Sequence, residues 1–279
     1  MIQEIRTDPD GSRILWLSDG KTELGIALDY GIRIVHLSCA GMDNLLYQQP
    51  QDGSDGQVTE QGWRLYGGHR FWLAPESDAS TYPDNQPVQY QLLPDGAAVT
   101  QPVDPWLQVE KSIRVCFGKD GTLEVTHRAK NTASATLHAA LWGITTLAAG
   151  GTAEISYEGS DLSDSLVPRR TVSLWGSTNL GDPRVRFAAD KISFRQLPMD
   201  DFFKIGVYSK EGFMYTENFA QRLEIRFEPH RIEQLADYGS NAEVYFDRNF
   251  MELETLGILQ AIAPGESACH SEVWRLTPL

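Results

Sequence analysis

Short runs in which apolar residues recur at every second position, cut apart by Gly, Pro, Asn and Asp, constrain this chain more than any single motif. In TELGIALDYG (residues 22–31) Leu24, Ile26, Leu28 and Tyr30 alternate with smaller or polar neighbours, and IRIVHLSCAG (32–41) continues the pattern beyond Gly31. QVEKSIRVCFGKDGTLEVTHRAKN (108–131) reads as a hairpin, two alternating runs around GKDG. Further runs lie at 137–147, 153–158, 185–194, 203–208, 213–217 and 222–228. Side chains alternate faces along a strand, so a period of two predicts half-buried strands. Many such strands at regular spacing predict an all-β sandwich or barrel. At 279 residues the chain is long enough for a sizeable core, and no linker or internal repeat divides it. A single domain over residues 1–279 is the expectation.

FMELETLG (250–257) tests this reading, because it sets Glu252 and Glu254 in an otherwise apolar run. In a helix the two acids would lie roughly 200° apart, with Phe250, Leu253 and Leu256 as the apolar stripe. In a strand Phe250, Glu252, Glu254 and Leu256 share one face, and both carboxylates point the same way. The surrounding β pattern favours the strand.

Composition limits the partners. Hydrophobic residues at 41% and charged residues at 22% describe a globular chain rather than a disordered one. With 38 acids against 24 bases the formal net charge is -14, which disfavours a broad phosphate-backbone surface, so no nucleic acid partner is expected. A neutral or cationic ligand, or an anion in a local arginine pocket, stays open. The amino terminus, MIQEIRTDPDGSRILWLSDG, lacks a basic region followed by a long apolar run, and no stretch approaches the length of a membrane span. Cys39, Cys116 and Cys269 are widely spaced and none is in a C-x-x-C pair, so they read as free thiols in a reducing cytoplasm.

The most chemically mixed stretch is WRLYGGHRFWLAPE (63–76), bracketed by the polar segments 48–62 and 76–87, which are expected to be loops able to rim a cleft. Gly67 and Gly68 permit unusual torsions. His69 offers a proton near neutrality, Arg70 a fork of donors, and Trp72 a flat apolar face, the requirements of a sugar site. The same types also serve a turn with a structural hydrogen-bond network. Near the carboxyl end, APGESACHSEVWRLTPL (263–279) gives a Pro-Gly turn and then a strand with His270, Glu272, Trp274 and Leu276 on one face. A closing strand needs no function beyond its pairing. His36, His127, His138 and His230 are isolated in sequence, no H-E-x-x-H or H-x-H pair occurs, and neither metal nor cofactor is expected.

FMELETLG followed by APGESACHSEVWRL resembles the carboxyl-terminal order of the aldose 1-epimerases, or galactose mutarotase-like proteins. In these an L-E-T motif supplies the catalytic glutamate and a P-G-E turn leads into the last strand; Glu254 falls on that glutamate. GGHRFWLAP is similar to the glycine-pair-to-proline segment of the related hexose-6-phosphate epimerases, which lies at their sugar site. Together with LWGITTL these motifs span most of the chain in order and look most like an uncharacterised family of the superfamily. The resemblance implies a galactose mutarotase-like β-supersandwich with a small-molecule sugar as ligand. Glu254 and His69 are then the expected catalytic pair, with Arg70, Trp72, Glu252, Arg64 and Trp142 binding the sugar.

Classical mutarotases carry a second histidine in an N-H-x-Y-F context, and the matching place here, HAALWGITTL, has Trp142. His138 lies four residues earlier, on the same strand face but about 13 Å away. The implied reaction is anomer interconversion. A carboxylate takes the anomeric hydroxyl proton while an acid protonates the ring oxygen, and the steps reverse after the aldehyde rotates. Glycosidases also use two carboxylates, but these flank the scissile bond, whereas Glu252 and Glu254 sit side by side, about 6.6 Å apart at their backbones. The alternative is a binding protein that kept the cleft and lost the acid. The missing histidine favours binding; the retained L-E-T glutamate favours catalysis.

Overall fold

A computed structural model describes residues 1–50, 62–157 and 170–279. The alternating runs form strands almost throughout, and the helical content of these residues is two single 3₁₀ turns, Ile232–Gln234 and Asp237–Gly239. The strands make two antiparallel sheets. The first runs, in spatial order, through Ile2–Thr7 (β1), Arg13–Ser18 (β2), Thr22–Ala27 (β3), Ile34–Cys39 (β4) and Gly68–Ala74 (β5). It continues through Leu137–Ala148 (β10), Phe250–Leu256 (β19), Ala242–Phe246 (β18), Phe203–Val207 (β15) and Val172–Leu174 (β12), while Gln260–Ile262 (β20) pairs with β10. The second sheet begins with Val185–Phe187 (β13), Lys191–Arg195 (β14), Thr152–Ser156 (β11), Phe213–Asn218 (β16) and Gln221–Phe227 (β17). It ends with Ser267–Pro278 (β21), Thr122–Asn131 (β9), Val109–Phe117 (β8), Gly96–Thr100 (β7) and Gln89–Leu93 (β6).

The two sheets stack through their apolar faces, the arrangement that removes most hydrocarbon from water in an antiparallel protein. Phe71 and Leu73 of β5, Leu141 and Leu147 of β10, and Met251 and Leu253 of β19 enter one core with Leu123 and Val125 of β9 and Trp274 of β21. Each such residue contributes about 1.5–3 kcal/mol by leaving water. β9 alternates buried residues with half-buried or exposed ones, and β21 alternates buried with exposed residues as far as Arg275, as expected for a sheet with one wetter face. β5 and β19 are buried along their whole length. Their outer faces carry a smaller apolar cluster in which Trp72, Trp142, Ile144 and Leu256 meet Ala236, with Trp63 packed against it.

Segment 250–257 is therefore a strand, and its alternation holds: Phe250, Glu252, Glu254 and Leu256 take the outer face while Met251 and Leu253 take the core. The hairpin expected at 108–131 is β8–β9, with Phe117 opposite Leu123. β5 starts at the glycine pair, both at positive φ (+83° and +75°). A Cβ on Gly68 would lie 2.3 Å from the Ile34 carbonyl oxygen, so only glycine lets β5 approach β4 there. Most of the expected loop at 48–62, residues 51–61, lies outside the described residues. Residues 76–87 contain no strand, as expected.

Candidate functional site

Three adjacent strands, β5, β10 and β19, place their outward side chains in one row. Ile144 pairs with Arg70 on one side and Glu254 on the other, and Trp142 pairs with Trp72 and Leu256. This row floors a cleft of about 280 Å³. Lys204 of β15 and Tyr245 of β18 extend the floor, and the lining includes Trp63, Glu76, Trp175 and Phe202.

The two carboxylates face the same way, yet each has its own partners. Glu254 Oε2 accepts from Trp142 Nε1 (2.7 Å) and from Lys204 Nζ (2.8 Å). Lys204 also forms an ion pair with Glu243 (2.9 Å), which lies directly opposite Glu254 on β18. Its ammonium rests over the rings of Trp142 (4.5 Å) and Trp175 (5.0 Å), a cation–π arrangement on two sides. Burial acts to lower the Lys204 pKa, but Glu254 and Glu243 together outweigh it and hold the ammonium above its usual range. Burial raises Glu243 well above the usual carboxylate range, partly opposed by Lys204 and reinforced by Glu254.

Glu252 accepts from the Thr146 hydroxyl (2.8 Å) and faces Arg70 Nη1 at 3.6 Å, while the Arg70 guanidinium lies over Trp72 (4.6 Å). Burial raises the Glu252 pKa; Arg70 lowers it and Glu254 raises it. Three buried polar atoms on this floor have no hydrogen-bond partner in the protein: Glu254 Oε1, Arg70 Nε and Trp72 Nε1. Buried polar groups are normally paired, so an acceptor and two donors without a partner, all on residues that line one cleft, are an anomaly that the hydroxyls of a polyhydroxylated ligand would relieve.

His69 is elsewhere. It precedes Arg70 on β5, so it points to the opposite face, between the sheets, fully buried. There the His127 Nδ1–H donates to the His270 carbonyl (3.0 Å), which makes His127 Nε2 the acceptor for His69 Nε2–H (2.7 Å). His69 Nδ1 in turn accepts from the Thr145 hydroxyl (2.9 Å). Burial, with smaller effects of Arg70 and His270, pushes the His69 pKa down to about 3. The expectation that His69 shares a pocket with Arg70, Trp72 and Glu254 is corrected: strand alternation forbids it, and His69 belongs to the structural network.

His270 and Glu272 extend that network from β21. Thr255 Oγ1 contacts both His270 Nε2 (2.7 Å) and Glu272 Oε1, and Trp274 Nε1 donates to Glu272 Oε2 (2.6 Å). Burial raises the Glu272 pKa to about 7, although Thr255 and Trp274 oppose the shift. His69, His127 and Glu272 bring potential ligand atoms within 4.8 Å of one another. The 2.7 Å between the two imidazole nitrogens is a hydrogen bond, shorter than the roughly 3.4 Å that two ligands on a tetrahedral zinc require.

Arg64 also turns away from the cleft: its Nε donates to Gln49 Oε1 (3.3 Å) and its guanidinium covers Tyr66 (5.1 Å). The 76–87 loop gives Glu76 to the cleft, whereas Tyr82, Asp84 and Gln86 line a separate pocket of about 20 Å³. All six histidines are among the described residues, and none lines the cleft. Lys204 and Glu243 were not singled out in the sequence. In FKIGV and AEVYF they alternate with apolar residues as any solvent-facing strand residue does, and only the neighbouring strands show that this face is covered.

The sheet pair has counterparts among solved structures. A galactose mutarotase-like protein from Lactobacillus casei superposes with a TM-score of 0.63 at 10% identity, over 95% of this chain and 100% of that one. One from Clostridium acetobutylicum gives 0.59 at 10% identity, over 100% and 99%. A TPR-domain containing protein from Parabacteroides distasonis gives 0.64 at 15% identity over 96% of this chain, which spans about half (48%) of that protein. No family model and no curated protein matches the chain. The protein has the galactose mutarotase-like fold, a β-sandwich of two antiparallel sheets. No helix among the described residues is long and apolar enough to cross a membrane.

Proposed function

We propose that the cleft binds the pyranose ring of a small sugar and interconverts its anomers, with Glu254 as the base. The observation that carries this reading is the Glu254 carboxylate itself. Oε2 is fixed by Lys204 and Trp142, which leaves Oε1 on the cleft floor as an oriented, unpartnered acceptor. Trp72 and Trp142 line the cleft and suit the C–H side of a sugar, and Arg70 Nε and Trp72 Nε1 are unpartnered donors on lining residues that its hydroxyls would satisfy as the floor adjusts. Both cations that line the cleft already face carboxylates, which supports a sugar without phosphate.

The test is anomer exchange followed by saturation-transfer NMR for wild type and Glu254→Gln, a change that keeps shape and removes the base. Wild type is expected to accelerate exchange, and the variant to lose on the order of 10²–10⁴ of that acceleration. The second reading, a sugar-binding protein without turnover, is favoured by Trp142 in the place of the mutarotase histidine and by the absence of any imidazole from the cleft lining. It predicts binding with no exchange in wild type, and a Glu254→Gln effect on affinity alone.

A further inference from the structure

Opening a pyranose requires a proton delivered to the ring oxygen as well as one removed from the anomeric hydroxyl, and no imidazole here delivers it. Among the described residues the ionisable side chains lining the cleft are Arg70, Glu76, Lys204, Tyr245, Glu252 and Glu254. Most are committed. A guanidinium keeps its proton in water, so Arg70 is a donor of hydrogen bonds only. Lys204 is held as an ammonium between Glu254 and Glu243. The Tyr245 phenol is pushed up by burial and then by Asp247 and Glu252. Glu252 is occupied by Thr146 and Arg70.

Glu76 differs from all of these. It stands two residues beyond the end of β5, in an exposed position, with its side chain lining the same cleft as Glu254. It makes no hydrogen bond and no ion pair with any described residue. We propose that Glu76 is the general acid of this site, lining the same cleft as the Glu254 carboxylate; this rests on the anomer-exchange reading above. The Glu76 carboxyl proton passes to the ring oxygen as the C1–O5 bond breaks and its electrons move to O5. Glu254 Oε1 takes the anomeric hydroxyl proton as the C1=O bond of the aldehyde forms. After rotation, O5 attacks C1, Glu76 recovers its proton from O5, and Glu254 returns its own to the new anomeric oxygen. Protons and electron pairs balance without a co-reactant.

The charged groups facing Glu76 are Lys204 from β15, Glu254 from β19, Arg70 from β5 and Asp237 from the 3₁₀ turn. Although the residue as a whole is exposed, its carboxyl is partly covered within the cleft, and this partial desolvation is the largest influence and raises its pKa; Lys204 and Arg70 oppose this, and Glu254 and Asp237 add to it. Glu76→Gln is the direct test, with urea unfolding as a control that the exposed substitution leaves the fold intact. Exchange kcat is expected to fall on the order of 10²-fold with sugar affinity unchanged. The alkaline fall in the wild-type pH–rate profile should disappear, and Glu76→Asp should recover part of the rate. A Glu76→Gln protein with wild-type kcat and profile, or one impaired through KM alone, overturns the assignment while Glu254→Gln still reports on the reading beneath it. Wild type that binds sugars and exchanges none overturns both.

Discussion

At the scale of single residues, Lys204 determines whether two acids can share one buried face. Glu243 and Glu254 are directly opposed on neighbouring strands and almost fully buried, and without a cation between them one would have to take up a proton. Lys204→Met is expected to lower stability by about 3–5 kcal/mol in urea unfolding near neutral pH, the usual cost of leaving a buried charge without its partner. Glu272 supports a prediction with a definite sign. Its pKa is about 7 in the folded protein and 4.5 in its ordinary state, so between these values the folded state holds the extra proton. Its contribution is fully present below pH 4.5 and is lost as pH rises through 7. Glu272→Gln cannot ionise, so the stability difference should shift toward the variant by about 3 kcal/mol between acid and mildly alkaline buffer. His69, held down to about 3, acts in the opposite sense, losing stability as pH falls below its ordinary 6.5. The difference between variant and wild type, rather than the wild-type curve, therefore isolates Glu272.

At the scale of elements, β5 shows how far a period of two reaches. The alternation that puts Glu252 and Glu254 on one face also puts His69 and Arg70 on opposite faces, so the separation of His69 from the site was present in GGHRFW itself. β3, β4, β8, β9 and β21 were legible because larger apolar residues recur along them at every second position, whereas β10 and β19, buried on both faces, were legible as apolar runs between turn residues. β1 and β6 were not, because IQEIRT and QYQLL are largely exposed edge strands whose apolar residues mark no buried face. The cleft floor was legible in its β5 and β19 members and in Trp142 of β10; Lys204, Glu243 and Glu76 were not, because their meaning comes from strands distant in sequence. The glycine pair that launches β5 makes a separate prediction. Gly68→Ala should cost about 3 kcal/mol, through its positive φ and the Ile34 carbonyl, with the denaturation midpoint falling at constant m-value. Gly265→Ala, also at positive φ but with nothing within 4 Å, should cost only about 1 kcal/mol.

At the scale of the whole molecule, the sandwich keeps two polar assemblies apart. The His69–His127–His270–Glu272 network lies between the sheets, closed by its own hydrogen bonds, while the Glu252–Glu254 row lies on the outer face of the first sheet with polar atoms left open. A second groove, of about 510 Å³, lies where Gly20, Lys21 and Thr22 approach the end of β21, and shares no lining residue with the carboxylate cleft. If the ligand occupies the carboxylate cleft as proposed, a crystal structure of the protein soaked with an unphosphorylated aldopyranose locates it there directly. The expected density is a sugar ring against Trp72 and Trp142, with its anomeric oxygen about 2.6–3.2 Å from Glu254 Oε1. Density in the second groove, or a ring in the cleft with its anomeric carbon turned away from Glu254, would contradict the account.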